Sequence, residues 1–147
     1  MLKFSKKLEY ALISIFEMSD RYGQEPVTTK TIAMRYDIPL EILGKVLQTL
    51  VKHGLITSIQ GVKGGYTLNH SLDNLKVLQV VEAIEGPISL IACKIKNISG
   101  CEQHLNCNIR TPMEMIQSEL VHFFGNISLE ELRNRNPRTY TQILNQA

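Results

Sequence analysis

A chain of 147 residues with 44% apolar content is the size of one domain, or of one small domain with an appended helix, and can build a core without cross-links. A formal net charge of +2 excludes bulk basicity as a reason to bind nucleic acid, so a DNA-binding surface has to come from local charge placement. No apolar run approaches a membrane span, and Lys3, Lys6 and Lys7 are not followed by a long apolar leader; the expectation is a soluble, cytoplasmic protein.

Residues 5–19 bring Leu8, Ala11, Leu12, Ile15 and Phe16 to helical spacing, with Ser5 as N-cap and Gly23 beyond the end. Glu9 falls in the first turn, where the helix dipole favours a carboxylate, and reads by itself as a solvated acid. After Pro26, Thr28 or Thr29 caps a short helix through Ile32, Ala33 and Tyr36. Asp37-Ile38-Pro39 then forces a turn, because the residue before a proline is pushed out of helical geometry.

A second helix is predicted from about Leu40 to Lys52. Leu40, Leu43, Leu47, Leu50 and Val51 form its apolar stripe, and Glu41, Gly44, Lys45 and Gln48 fall on the opposite face. Two short helices joined by a tight turn, the second with a polar outer face, form the helix-turn-helix whose second helix enters the major groove. His53-Gly54 ends that helix. The β-branched run Leu55–Ile59, the glycine-rich Gln60–Gly65 and Tyr66-Thr67-Leu68 then make a hairpin, which completes the order of a winged helix. On this reading Pro39, Glu41, Lys45 and Gln48 contact DNA from the recognition helix, and Gln60 and Lys63 contact it from the wing.

Leu75–Ile84 is apolar at helical spacing through Val77, Val80, Val81 and Ile84, and Gly86-Pro87 ends it. All three cysteines follow within fifteen positions, in Cys93-Lys-Ile-Lys-Asn-Ile-Ser-Gly-Cys101-Glu-Gln-His104-Leu-Asn-Cys107, a polar stretch that reads as a loop. An odd count without a leader argues against a disulfide framework. A zinc site, an iron–sulfur cluster, a thiol switch and three unligated thiols remain open. Gaps of seven and five residues fit zinc less well than a [2Fe–2S] cluster, in which nitrogen or oxygen can replace some thiolates.

Thr111-Pro112-Met113-Glu114 reads as an N-cap, a first-turn proline and a capping-box glutamate, and so starts a long helix beside Cys107. Met113, Ile116, Leu120, Phe123 and Phe124 form its apolar side before Gly125-Asn126. So large a stripe is expected to meet the same helix of a second copy. Ser128-Leu-Glu-Glu131 repeats the capping-box pattern for a last short helix, and the tail from Arg133 is basic, polar and expected to be mobile. No nucleophile–base constellation, phosphate loop or H-E-x-x-H helix is present, so an enzyme is not expected.

Leu8-Glu-Tyr-Ala11, Gly54-Leu-Ile56, the wing Gly61-Val-Lys-Gly-Gly-Tyr-Thr-Leu68, Val81-Glu-Ala-Ile-Glu-Gly-Pro87 and the cysteine loop together resemble the Rrf2 family of bacterial transcription regulators, over roughly residues 1–133. The likeness is to its iron–sulfur-binding members, typified by the regulator of cluster assembly. The resemblance implies a mainly α winged helix-turn-helix that dimerises through the long helix and binds promoter DNA. It also implies a [2Fe–2S] cluster on Cys93, Cys101 and Cys107.

The family's usual fourth donor, a histidine three residues after the last cysteine, is here Arg110, which stays protonated and cannot ligate. Other relatives use a carboxylate at the start of the partner subunit's first helix. The matching position is Glu9, with His104 in the loop as the competing donor. The Cys93–Cys101 gap is wider than in these relatives, and Gln60 stands where members that read specific sites commonly carry an arginine.

The expected organisation is a winged-helix domain over 1–90, a cluster loop over 91–110, a dimerisation helix and short final helix over 111–133, and a tail over 134–147. The expected function is a homodimeric DNA-binding regulator that reports iron–sulfur status, redox state or nitric oxide. The alternatives are a cluster-free thiol switch and a zinc-binding interaction adaptor.

Overall fold

The computed structural model describes residues 2–91, 101–103 and 105–135; Cys93, His104 and the tail from 136 onward lie outside the described residues. Ser5 opens the first helix as expected: its Oγ accepts from the Leu8 N–H at 3.3 Å, and α1 runs Lys6–Asp20. The Ser5 N–H donates at 2.9 Å to Glu85 at the end of a later helix, which fixes where α1 enters the core. Leu8, Ala11, Ile15 and Met18 are buried along one side of α1.

Thr28 caps α2 (Thr29–Tyr36) by accepting from the Thr31 N–H at 3.1 Å. Asp37 takes φ 52°, the left-handed conformation that closes α2 and turns the chain through Ile38 and Pro39 into α3 (Leu40–Lys52). Leu43, Val46, Leu47 and Leu50 are buried against α1 and α2. The predicted stripe differs at its two ends, and Val51 is only half-buried. Leu40 is 56% exposed because it lies in the first turn, ahead of the packed segment, and Val46 takes a core place instead.

Strands β1 (Ile56–Ile59) and β2 (Gly65–Leu68) pair antiparallel in the register Ile56–Leu68, Thr57–Thr67, Ser58–Tyr66 and Ile59–Gly65. Val27, just before α2, exchanges two backbone hydrogen bonds with Tyr66 at 3.0 and 2.8 Å, so the wing is pinned at its base to the helix-turn-helix. Ile56 and Leu68 point into the core, and the hairpin tip stands in solvent.

Helix α4 (Val77–Glu85) buries Val77, Val80, Val81 and Ala83 and stops at Gly86, φ 84°. Helix α5 spans Arg110–Asn126 and starts two residues earlier than Thr111 as N-cap and Pro112 as first helical residue suggested. Ile109 is its N-cap without a side-chain cap bond, and Glu114 pairs with Arg110 at 3.4 Å rather than closing a capping box. Not one residue of α5 is buried: Met113, Leu120 and Phe124 are half-covered, and Ile116 and Phe123 are exposed.

The chain then turns back. The Val77 N–H donates to Ile127 O at 3.0 Å and the Leu129 N–H to Leu75 O at 2.8 Å. Leu129 is fully buried as α6 (Leu129–Asn134) begins with the expected Ser128–Glu131 capping box. Arg133, expected in a mobile tail, belongs to α6 and bonds Ser19 and Asp20 at the end of α1, both at 3.1 Å. Among the described residues no helix is long and apolar enough to cross a membrane.

Candidate nucleic-acid interface and cysteine cavity

Pro39, Glu41, Lys45 and Gln48 are all exposed along the outer side of α3, away from the buried leucines. Pro39 is the N-cap residue, one position before the first helical residue. Lys45 Nζ lies 3.0 Å from Glu41 Oε1 across one helical turn, so the centre of this face is close to electrically neutral. Leu40 and Ile42 are exposed on either side of it. At the wing, Gln60 Nε2 donates to Ser58 Oγ at 3.3 Å, and Lys63 Nζ rests 3.5 Å from Glu25 Oε1 with both side chains open to water. The face therefore offers hydrogen bonding and shape more than cationic attraction, with Lys63 and Lys45 as its positive charges among the six predicted contacts.

Sequence reasoning missed what holds this face in place. Glu17 of α1 is 1% exposed, yet its carboxylate is fully partnered: Arg35 Nη1 donates to Oε1 at 2.9 Å, the Tyr36 hydroxyl donates to Oε2 at 2.7 Å, and Arg21 sits at 3.2 Å. Arg35 also lies over the Tyr36 ring, 5.7 Å from its centroid. The bond from Tyr36 to Glu17, reinforced by partial burial, raises the phenol above its ordinary value. The two residues that close α2 thus grip α1, and the α2–α3 turn follows directly. A signal was available: Glu17 interrupts the apolar side of α1 between Ile15 and Met18, four residues before Arg21.

Between the end of α4 and the start of α5, Cys101 and Cys107 are half-buried and line one cavity of about 520 Å³ with Leu90, Ile91, Ile109 and Arg110. Leu90 is fixed by its N–H, which donates to Gln117 Oε1 at 3.1 Å, so the cavity wall is tied to α5. Cys101 Sγ lies 3.9 Å from Gln103 Oε1. Among the described residues no group of three His, Cys, Asp or Glu side chains is gathered for a metal; Cys93 and His104 lie outside them. Glu9 is exposed on α1 and pairs with Lys6 at 2.6 Å. The bond to Glu9 raises the Lys6 ammonium above its ordinary value.

A family model described as Rrf2, an iron-dependent transcriptional regulator, matches residues 4–135. The chain is 28% identical over 131 residues to the HTH-type transcriptional regulator IscR of Xenorhabdus nematophila, across 89% of this chain and 79% of that one. Among solved structures, CymR, the global cysteine regulator of B. subtilis, matches with a TM-score of 0.69 at 26% identity, over 90% of this chain and 96% of its own. T. potens IscR matches with a TM-score of 0.66 over 95% and 96%; at 22% identity this speaks for the fold alone. The mainly α winged helix-turn-helix expected from the sequence is the fold observed.

Proposed function

The chain belongs to the Rrf2 family of DNA-binding transcription regulators, and from that premise we propose that it acts as a homodimer that binds a palindromic promoter site and responds to iron–sulfur status, redox state or nitric oxide through a [2Fe–2S] cluster. One observation carries the sensing half of this reading: Cys101 and Cys107 share a single cavity at the junction of α4 and α5. The donor set suits the group. Two thiols, the ligand type that iron–sulfur clusters take, line the cavity together with the apolar Leu90 and Ile91. Cys93 is the third sulfur donor, and Glu9 of the partner subunit is the fourth ligand, with His104 as the alternative. When bound, such a cluster supplies a one-electron couple and a dependence on iron supply.

The remaining steps belong to the protein. The loop that carries the cysteines leaves α4, which is packed in the winged-helix core, and enters α5, whose apolar outer face meets the partner. A change in loop shape therefore alters the angle between core and dimer helix, and with it the spacing of the two α3 helices. A dimer fits half-sites of one spacing only, so a small shift changes affinity.

The test is iron and acid-labile sulfide per chain, with the visible spectrum, on protein purified without oxygen, followed by DNA binding before and after iron removal. The expected result is about two irons and two sulfides per chain and a change in DNA affinity when they are removed. No iron after reconstitution overturns the cluster and leaves a thiol switch, which the shared cavity also suits and which predicts a reversible disulfide.

A further inference from the structure

Glycine within a helix destabilises it relative to alanine, so a helical glycine calls for a reason. Gly23, Gly54, Gly61, Gly65 and Gly86 have one in their positive φ, and a Cβ on Gly64 would collide with the backbone oxygens of Ile59 and Gly61. A Cβ on Gly125 would come into ordinary contact with the Leu78 side chain, at 3.5 Å. Gly44 has none of these. It sits mid-helix in α3 without a positive φ, and a Cβ built there meets nothing within 4 Å. Among the described residues, nothing inside the fold requires a glycine at this position.

Gly44 lies on the outer face of α3, three residues after Glu41 and four before Gln48, so it falls at the middle of the surface that faces DNA. We propose that Gly44 is a specificity-determining position, at which the missing side chain lets the α3 backbone lie against the base edges of the major groove. That depth brings Leu40 and Ile42, exposed on either side, within reach of thymine methyl groups, and Glu41 within reach of a cytosine amino group. The proposal rests on α3 being the DNA-reading helix and is independent of the cluster.

The probe is the duplex that the unsubstituted protein enriches from a randomised library, as purified and after cluster reconstitution, with a scrambled duplex as control. G44A is expected to raise the thermal midpoint by about 2–6 °C. It is also expected to weaken binding of the enriched duplex by about tenfold or more, with binding to the scrambled duplex unchanged. G44Q, with a longer side chain, weakens it further. Undiminished binding of the enriched duplex by both variants overturns the proposal, as does a fall in the G44A midpoint, which places the role of the glycine inside the fold. If the unsubstituted protein enriches no sequence, the reading of α3 as the base-contacting helix fails first, before any variant is compared.

Discussion

Glu17 on α1 accepts a hydrogen bond at 2.9 Å from Arg35 on α2, and through this contact a carboxylate at 1% exposure holds the helix-turn-helix to the core. Arg35 and Arg21 keep 58% and 39% of their side-chain surface in water, so removing the carboxylate leaves cations that solvent can reach. The cost therefore stays below the ~3–5 kcal/mol of a fully buried charge that loses its partner. Glu17→Gln is expected to lower stability by about 1–3 kcal/mol in urea unfolding and to weaken DNA binding under conditions where the fold remains intact.

Tyr36 titrates late because its hydroxyl donates to Glu17, and burial adds to the effect. Its folded pKa is above the ordinary 10.0, so the stability it contributes is complete below pH 10 and is lost as pH rises through the raised folded value. Tyr36→Phe is expected to lose this contribution at neutral pH, to fall less steeply in stability at alkaline pH, and to lack one late phenolate in an ultraviolet titration.

Cys101→Ser and Cys107→Ser are each expected to abolish most of the bound iron and the visible spectrum. Glu9→Ala tests the intersubunit ligand and His104→Ala the loop ligand. A mixed dimer of a Glu9→Ala chain with a chain lacking its cysteines should carry one cluster if Glu9 reaches across the interface and none if Glu9 acts within its own chain; if His104 is the ligand, the Glu9→Ala homodimer itself keeps its iron.

Lys63 stands at the exposed wing tip, and its ion pair with Glu25, at 3.5 Å between exposed groups, is too weak to compete with a phosphate. Lys63→Ala is expected to reduce the slope of log affinity against log salt by about one unit, with nearly the same loss for any duplex.

The limits of α3 were legible to the residue because Pro39 and Gly54 punctuate both ends. The start of α5 was misread because Thr111-Pro112 imitates a beginning while lying already inside the helix. Proline is tolerated there because first-turn amides have no intrahelical partner, and the first backbone bond, from the Met113 N–H to Ile109 O at 2.9 Å, falls just after it. Leu40 was placed in the core since helical periodicity says nothing of where packing starts. Glu17 was passed over because a charge in an apolar stripe announces itself only once Arg35, eighteen residues later, is brought to it. Of the cysteine site, spacing revealed the sulfurs, but convergence of donors is a property of three dimensions, which spacing does not carry.

The return of the chain through Ile127 and Leu129 and the grip of Arg133 on Asp20 make α5 a lever with its fulcrum at the far end. Its 17 residues span about 25 Å, so a tilt of roughly 5° about that fulcrum carries the cysteine end through about 2 Å while the anchored end only turns in place. In such a tilt the end of α5 beside Cys107 moves most, whereas Ser19 and Asp20, far along the chain from any cysteine, are where Arg133 of α6 is held to α1.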